Sequence, residues 1–136
     1  MRMQLRRAPD AGGFTMIELL VVVSLIIVLA SIGIAQYRNA VTRAQEAVLK
    51  EDLFRLRDLI DQFYADKQKY PDTLEALVTE GYLRQVPKDP FTGSADTWQL
   101  IPAEPDPANP TAEPGISDVK SGSEKSALDG SKYADW

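Results

Sequence analysis

The stretch that most constrains this chain is Gly13-Phe14-Thr15-Met16-Ile17-Glu18, followed at once by an apolar run from Leu19 to Ala35. From Phe14 to Ala35 it has the roughly 20 residues that carry a helix across a hydrocarbon core about 30 Å thick. Glu18 is the only ionisable side chain within it. A carboxylate in a spanning helix costs about 2.5 to 3.5 kcal/mol at the centre and less near an interface, so Glu18 calls for a partner or a purpose.

The run is too long for the apolar segment of an ordinary secretory signal peptide. A plain uncleaved anchor accounts for the length and for Arg2, Arg6 and Arg7 ahead of it, but leaves Glu18 unexplained except as a side chain that snorkels to the headgroups. Elsewhere the 136 residues leave room for one small domain, and much of the apolar content is used in this opening segment. Cysteine and histidine are both absent, which removes disulfides, thiolate metal sites and the commonest catalytic base. No catalytic residue is expected. The formal net charge is -5, and the basic leader makes the remainder more acidic still, so no nucleic-acid partner is expected.

The segment Gly13-Phe14-Thr15-Met16-Ile17-Glu18-Leu19-Leu20-Val21-Val22 resembles the class III signal of type IV pilins and type II secretion pseudopilins. The resemblance implies cleavage between Gly13 and Phe14 by a prepilin peptidase on the cytoplasmic side, and methylation of the new amino terminus. It also implies that Glu18 pairs with the terminal amine of a neighbouring copy. In an apolar bundle that pairing would fix the axial register, because a slipped packing leaves charges unpaired. The expected organisation is a leader over 1–13, a transmembrane or filament-core helix over 14–35, and a periplasmic head over 36–136.

No strong helix breaker occurs from Phe14 to Gln68, and Val41, Ala44, Val48, Leu49, Leu53, Leu56, Ile60 and Phe63 recur at three- and four-residue steps. The helix is therefore expected to continue beyond the span, about 55 residues and roughly 80 Å in all. Glu46 to Lys50 and Glu51 to Arg55 are well-ordered i, i+4 pairs on its polar face. Family members often carry proline where Ala35 stands; Gly33 loosens the helix but imposes no kink. Pro71 should end this helix. Asp72 and Glu75 read as a capping box for a short second helix from Thr73 to Thr79, ended by Gly81.

Tyr70 to Leu77 and Val86-Pro87-Lys88-Asp89-Pro90-Phe91-Thr92-Gly93 resemble G-type major pseudopilins, although the glutamine-glycine-leucine usual ahead of the second helix is missing. Trp98 to Ile101 and Ile116 to Ser121 have strand character, with Trp98 as core, and the proline-dense Pro102 to Pro114 reads as an exposed loop. The fold class is α+β, pilin-like: a long N-terminal helix packed on a small antiparallel sheet.

The tail from Ser121 to Trp136 is similar to the acidic, glycine-containing loop that binds calcium in major pseudopilins. The candidate ligands are Asp129 and Asp135, helped by Ser121 or Ser126. Lys125 falls near where the family pattern has an aspartate, and a lysine there is able to supply positive charge itself; Asp129-Gly130 also reads as an ordinary turn. Trp136 should pack back on the head.

The resemblance implies a structural subunit of a periplasmic pseudopilus, anchored in the bacterial inner membrane by one span before assembly. Its expected partners are copies of itself, the peptidase, minor pseudopilins, the inner-membrane assembly platform and membrane lipid. A type IV pilin is the sister reading, against which the missing cysteine pair counts; a tethered binding module that never polymerises is the third.

Overall fold

The computed structural model describes residues 12–136; Arg2, Arg6, Arg7 and Asp10 lie outside the described residues, as does the expected leader up to residue 11. Helix α1 covers Met16–Lys67. Its start is set by Thr15, whose Oγ1 accepts from the Glu18 backbone N–H at 3.2 Å while its carbonyl accepts from the Leu19 N–H. A threonine in this cap position satisfies one of the orphan donors of the first turn. At the other end Gln68 adopts a left-handed conformation (φ 56°), with its N–H on the Tyr64 carbonyl, and Pro71 follows. The chain divides into two units, Met1–Arg38 and Asn39–Trp136.

In the first unit every described residue is exposed, including Phe14, Met16, Leu19 and Leu29. Its serines raise no obstacle to an apolar setting: Ser24 Oγ donates to the Leu20 carbonyl and Ser31 Oγ to the Ile27 carbonyl, each at 2.7 Å. The helix is long and apolar enough to cross a membrane.

In the second unit α1 buries Leu49, Leu53, Leu56, Ile60 and Phe63, the stripe expected from the spacing; Val41 and Val48 lie exposed instead. Helix α2, Leu74–Thr79, contributes Leu74 and Leu77 to the same core. Its cap is Thr73 rather than the expected Asp72: Thr73 Oγ1 accepts from the Ala76 N–H at 3.2 Å, so the capping geometry lies one residue later than the Asp72-Glu75 pattern suggests. Gly81, at φ 84°, lets the chain turn away after the helix, as expected for a residue in the left-handed region.

Strands β1, Gln99–Pro102, and β2, Ile116–Lys120, pair antiparallel with Leu100 opposite Val119, and the register shifts between Ile101 and Pro102. Strand β2 turns Ile116 and Val119 into the core, whereas β1 is exposed along its length. Trp98 precedes β1 and is buried, its indole N–H donating to the Pro87 carbonyl at 2.8 Å. Of the expected exposed loop, residues 104–114 are exposed, while Pro102 closes β1 and Ala103 is buried with its N–H on the Gly115 carbonyl. A long apolar N-terminal helix with a small two-stranded sheet is the α+β pilin-like arrangement.

Candidate functional site

Two places carry the residues singled out in the sequence, one in each unit. In the first, Gly13, Phe14 and Thr15 precede α1 and are exposed, with Phe14 82% accessible, so among the described residues of the unit none covers the Gly13–Phe14 bond. Glu18 stands in the first turn of α1, where the unpaired N–H groups favour an anion. Its backbone is held by the Thr15 cap and its side chain is exposed. The signal for this cap in the sequence is the Thr15-x-x-Glu18 spacing of a capping box.

In the second unit the C-terminal segment folds against one face of α1. Glu46 is its main anchor: one carboxylate oxygen accepts from the Leu128 N–H at 2.9 Å and from the Tyr133 hydroxyl at 2.8 Å. Lys50, expected to pair with Glu46, instead places its ammonium 4.6 Å from the Trp136 ring centroid. The other expected pair, Glu51 and Arg55, forms at 3.7 Å between exposed side chains. Two turns beyond Lys50, Arg57 donates to Asp118 at 2.7 Å and to the carbonyls of Val119 and Trp136 at 2.9 and 2.8 Å. Tyr133 opens a short 3-10 turn, Tyr133–Asp135, and is buried between Phe91, stacked at 3.9 Å, and Trp136, met edge-on at 5.0 Å. Trp136 therefore packs back as expected.

The four candidate metal ligands have separate partners. Ser121 is fully buried, donating to Asp89 Oδ2 at 2.5 Å and accepting from the Ser123 N–H. Asp89, also fully buried, accepts from the Phe91 N–H as well, and so ties the proline-rich connector to the start of the C-terminal loop. Sequence spacing carried no signal of that bond between residues 32 apart. Ser126 pairs by a backbone bridge with Lys132. Asp129 Oδ1 accepts from the N–H and the hydroxyl of Ser131, at 2.9 and 2.6 Å, closing the Asp129-Gly130 turn. The Ser131 hydroxyl bond, then its N–H, and Lys50 nearby hold the Asp129 carboxyl below the usual range. Asp135 lies in the 3-10 turn. Among the described residues no group of three acidic side chains converges, which falls short of the donor set a tight calcium site requires.

Two phenols, Tyr133 in this network and Tyr82 on Asp66, are held harder to ionise than a free phenol. Burial first, then the hydrogen bond to Glu46, pushes the Tyr133 hydroxyl up to about 12; the hydrogen bond to Asp66 does the same for Tyr82. A phenol harder to ionise folded than unfolded contributes stability that is full below pH 10 and is lost as the pH rises towards 12. Denaturant midpoints measured from pH 9 to 12 should fall over that window. Tyr133→Phe should start lower and show a shallower fall; an unchanged slope would refute the Tyr133 assignment.

No protein-family model matches the chain, and no solved structure does. Among curated proteins it is 29% identical over 111 residues to the type II secretion system core protein G of Klebsiella michiganensis, covering 70% of this chain and 76% of that protein. Against the core protein G of Escherichia coli the identity is 28% over 126 residues, 75% of this chain and 87% of the relative. The Pseudomonas aeruginosa core protein G is 33% identical over 96 residues, 59% of this chain and 68% of that protein. With that identity over two thirds of a relative, and with the long apolar helix and small sheet in place, the chain belongs to the type II secretion system core protein G family, that of the major pseudopilin.

Proposed function

We propose that the chain is the precursor of a structural subunit of a periplasmic pseudopilus, cut between Gly13 and Phe14 by a prepilin peptidase and assembled from an inner-membrane pool. The observation that carries this reading is the first unit, in which an apolar helix is exposed on all sides and holds one carboxylate, Glu18, in its first turn. Such a surface requires lipid before assembly and apolar neighbours after it. The relatives' name adds the secretion context.

Cleavage would put an α-amino group on Phe14, about one helical turn from Glu18. Within one chain the carboxylate follows the amine along the helix axis, so a neighbour shifted axially brings its amine to this Glu18. The proposed partners are other copies, the peptidase, minor pseudopilins and the inner-membrane platform, with the second unit outside the cytoplasmic membrane.

Intact-mass measurement of the membrane-extracted chain tests the processing. The expected product begins at Phe14 and carries one added methyl group; a product still beginning at Met1 overturns the peptidase assignment. Filaments visible by electron microscopy on overexpression are expected as well, and their absence from correctly processed protein would favour the tethered, non-polymerising reading.

A further inference from the structure

The face of α1 that carries Glu46, Lys50, Leu53 and Arg57 follows steps of four, three and four residues, and the C-terminal segment lies along it. A divalent ion in such a loop would need six to eight oxygens at about 2.3 to 2.6 Å, several of them carboxylate. Several of the loop's oxygens are committed elsewhere. Asp129 Oδ1 holds Ser131 twice, Ser121 is locked to Asp89, and the Ser123 hydroxyl accepts from the Lys125 N–H. The carbonyls of Lys125, Ala127 and Ser131 accept from the N–H groups of Tyr133, Gly130 and Ala127.

Positive charge arrives from the helix. The Lys50 ammonium lies over the Trp136 ring, and Lys50, Asp129 and Trp136 line one cleft together with Arg57. Arg57 in turn grips the Trp136 carbonyl while its Nε meets Asp118. The Ser131 hydroxyl joins the two halves of this arrangement, donating to Asp129 and accepting from the Trp136 indole N–H at 2.8 Å.

We infer that Lys50 and Arg57 of α1 take the place of a divalent cation, so that the loop from Ser121 to Trp136 is held by the protein's own ammonium and guanidinium groups and folds without calcium. The inference departs from what the family resemblance implies, and it concerns the second unit alone, so it stands or falls apart from filament assembly. Lys50 acts here as a positioning residue: its charge lies over Trp136 in the cleft that Asp129 also lines, and Trp136 and Asp129 in turn order Ser131 and the Asp129-Gly130 turn.

The test uses the full chain in detergent micelles, stripped of metal, and followed by tryptophan fluorescence on heating and by amide hydrogen exchange. Millimolar calcium chloride and excess chelator should give midpoints within about 1 °C of each other, whereas an ion bound at a hundredfold its Kd would raise the midpoint by about 10 °C or more. Lys50→Met, which keeps the aliphatic stem, should speed exchange at the Leu128 and Ser131 amides about two- to fivefold, and Lys50→Arg should restore the parent rate. A chelator-sensitive midpoint in the parent chain overturns the proposal. So does Lys50→Met exchanging like the parent, or Lys50→Arg exchanging like Lys50→Met, because either result removes the charge as the cause.

Discussion

Glu18→Val is expected to abolish filaments while leaving the protein in the membrane fraction. The substitution makes the span uniformly apolar, so insertion should be as good as or better than in the parent. The loss falls on assembly. In the proposed filament each Glu18 carboxylate faces the Phe14 amine of another copy inside a bundle of apolar side chains such as Leu19, Val22 and Ile26, all of which are exposed in the single chain. Valine leaves that amine buried and unpaired, and removing one partner of a buried pair costs about 3 to 5 kcal/mol. Spread along a polymer with one such pair per subunit, that penalty exceeds what small packing gains at position 18 return. Membrane fractionation and negative-stain counting of filaments check both halves of the expectation. Filaments at parental abundance would sink charge pairing and leave Glu18 as a snorkelling side chain on a backbone that Thr15 caps.

What the sequence made legible in this chain is what depends on near neighbours. The stripe of Leu49, Leu53, Leu56, Ile60 and Phe63 follows from helical periodicity, and the end of α1 from Pro71, because both are local constraints on the backbone. The second helix was legible but not its cap: Asp72 and Thr73 are both capping types, and the choice of Thr73 is a matter of one residue of phase. Glu46 and Lys50 show where local reading gives out. Their i, i+4 spacing favours a pair worth a few tenths of a kcal/mol, yet Glu46 finds two donors 82 and 87 residues along the chain, and Lys50 finds an aromatic face. Two charge-assisted hydrogen bonds outweigh one exposed ion pair, and no local pattern announces them. Ser121 is a similar case. As a loop serine in an acidic tail it reads as an oxygen donor for a cation, but folding buries it against Asp89. Gly122 beside it has a reason invisible in the sequence: a Cβ there would lie 1.9 Å from the Thr97 carbonyl oxygen, so only glycine allows the two segments to approach.

Tyr133→Ala should be the most damaging single change in the second unit, because this residue joins both of the systems that hold the C-terminal segment. Its ring is 1% exposed, stacked on Phe91 and met edge-on by Trp136. Truncating a buried aromatic to alanine costs about 3 to 5 kcal/mol through lost transfer energy and the cavity left behind. The hydroxyl adds a second loss, since Glu46 would keep only the Leu128 N–H as a donor. Against a total stability of about 5 to 15 kcal/mol for a small domain, the melting midpoint should fall by more than about 10 °C. The two contributions separate by chemistry. Tyr133→Phe keeps the ring and loses the bond to Glu46, for which about 1.5 to 3 kcal/mol is expected, as suits a hydrogen bond to a charged group. Glu46→Gln keeps an acceptor for Leu128 while removing the charge. If Tyr133→Phe and Glu46→Gln destabilise by amounts that simply add in the double variant, the hydroxyl–carboxylate bond is not what anchors the loop. If the double variant costs no more than the worse single one, Glu46 and Tyr133 act as a unit, and the C-terminal segment is fastened to α1 through a bond between residues 87 apart in the chain.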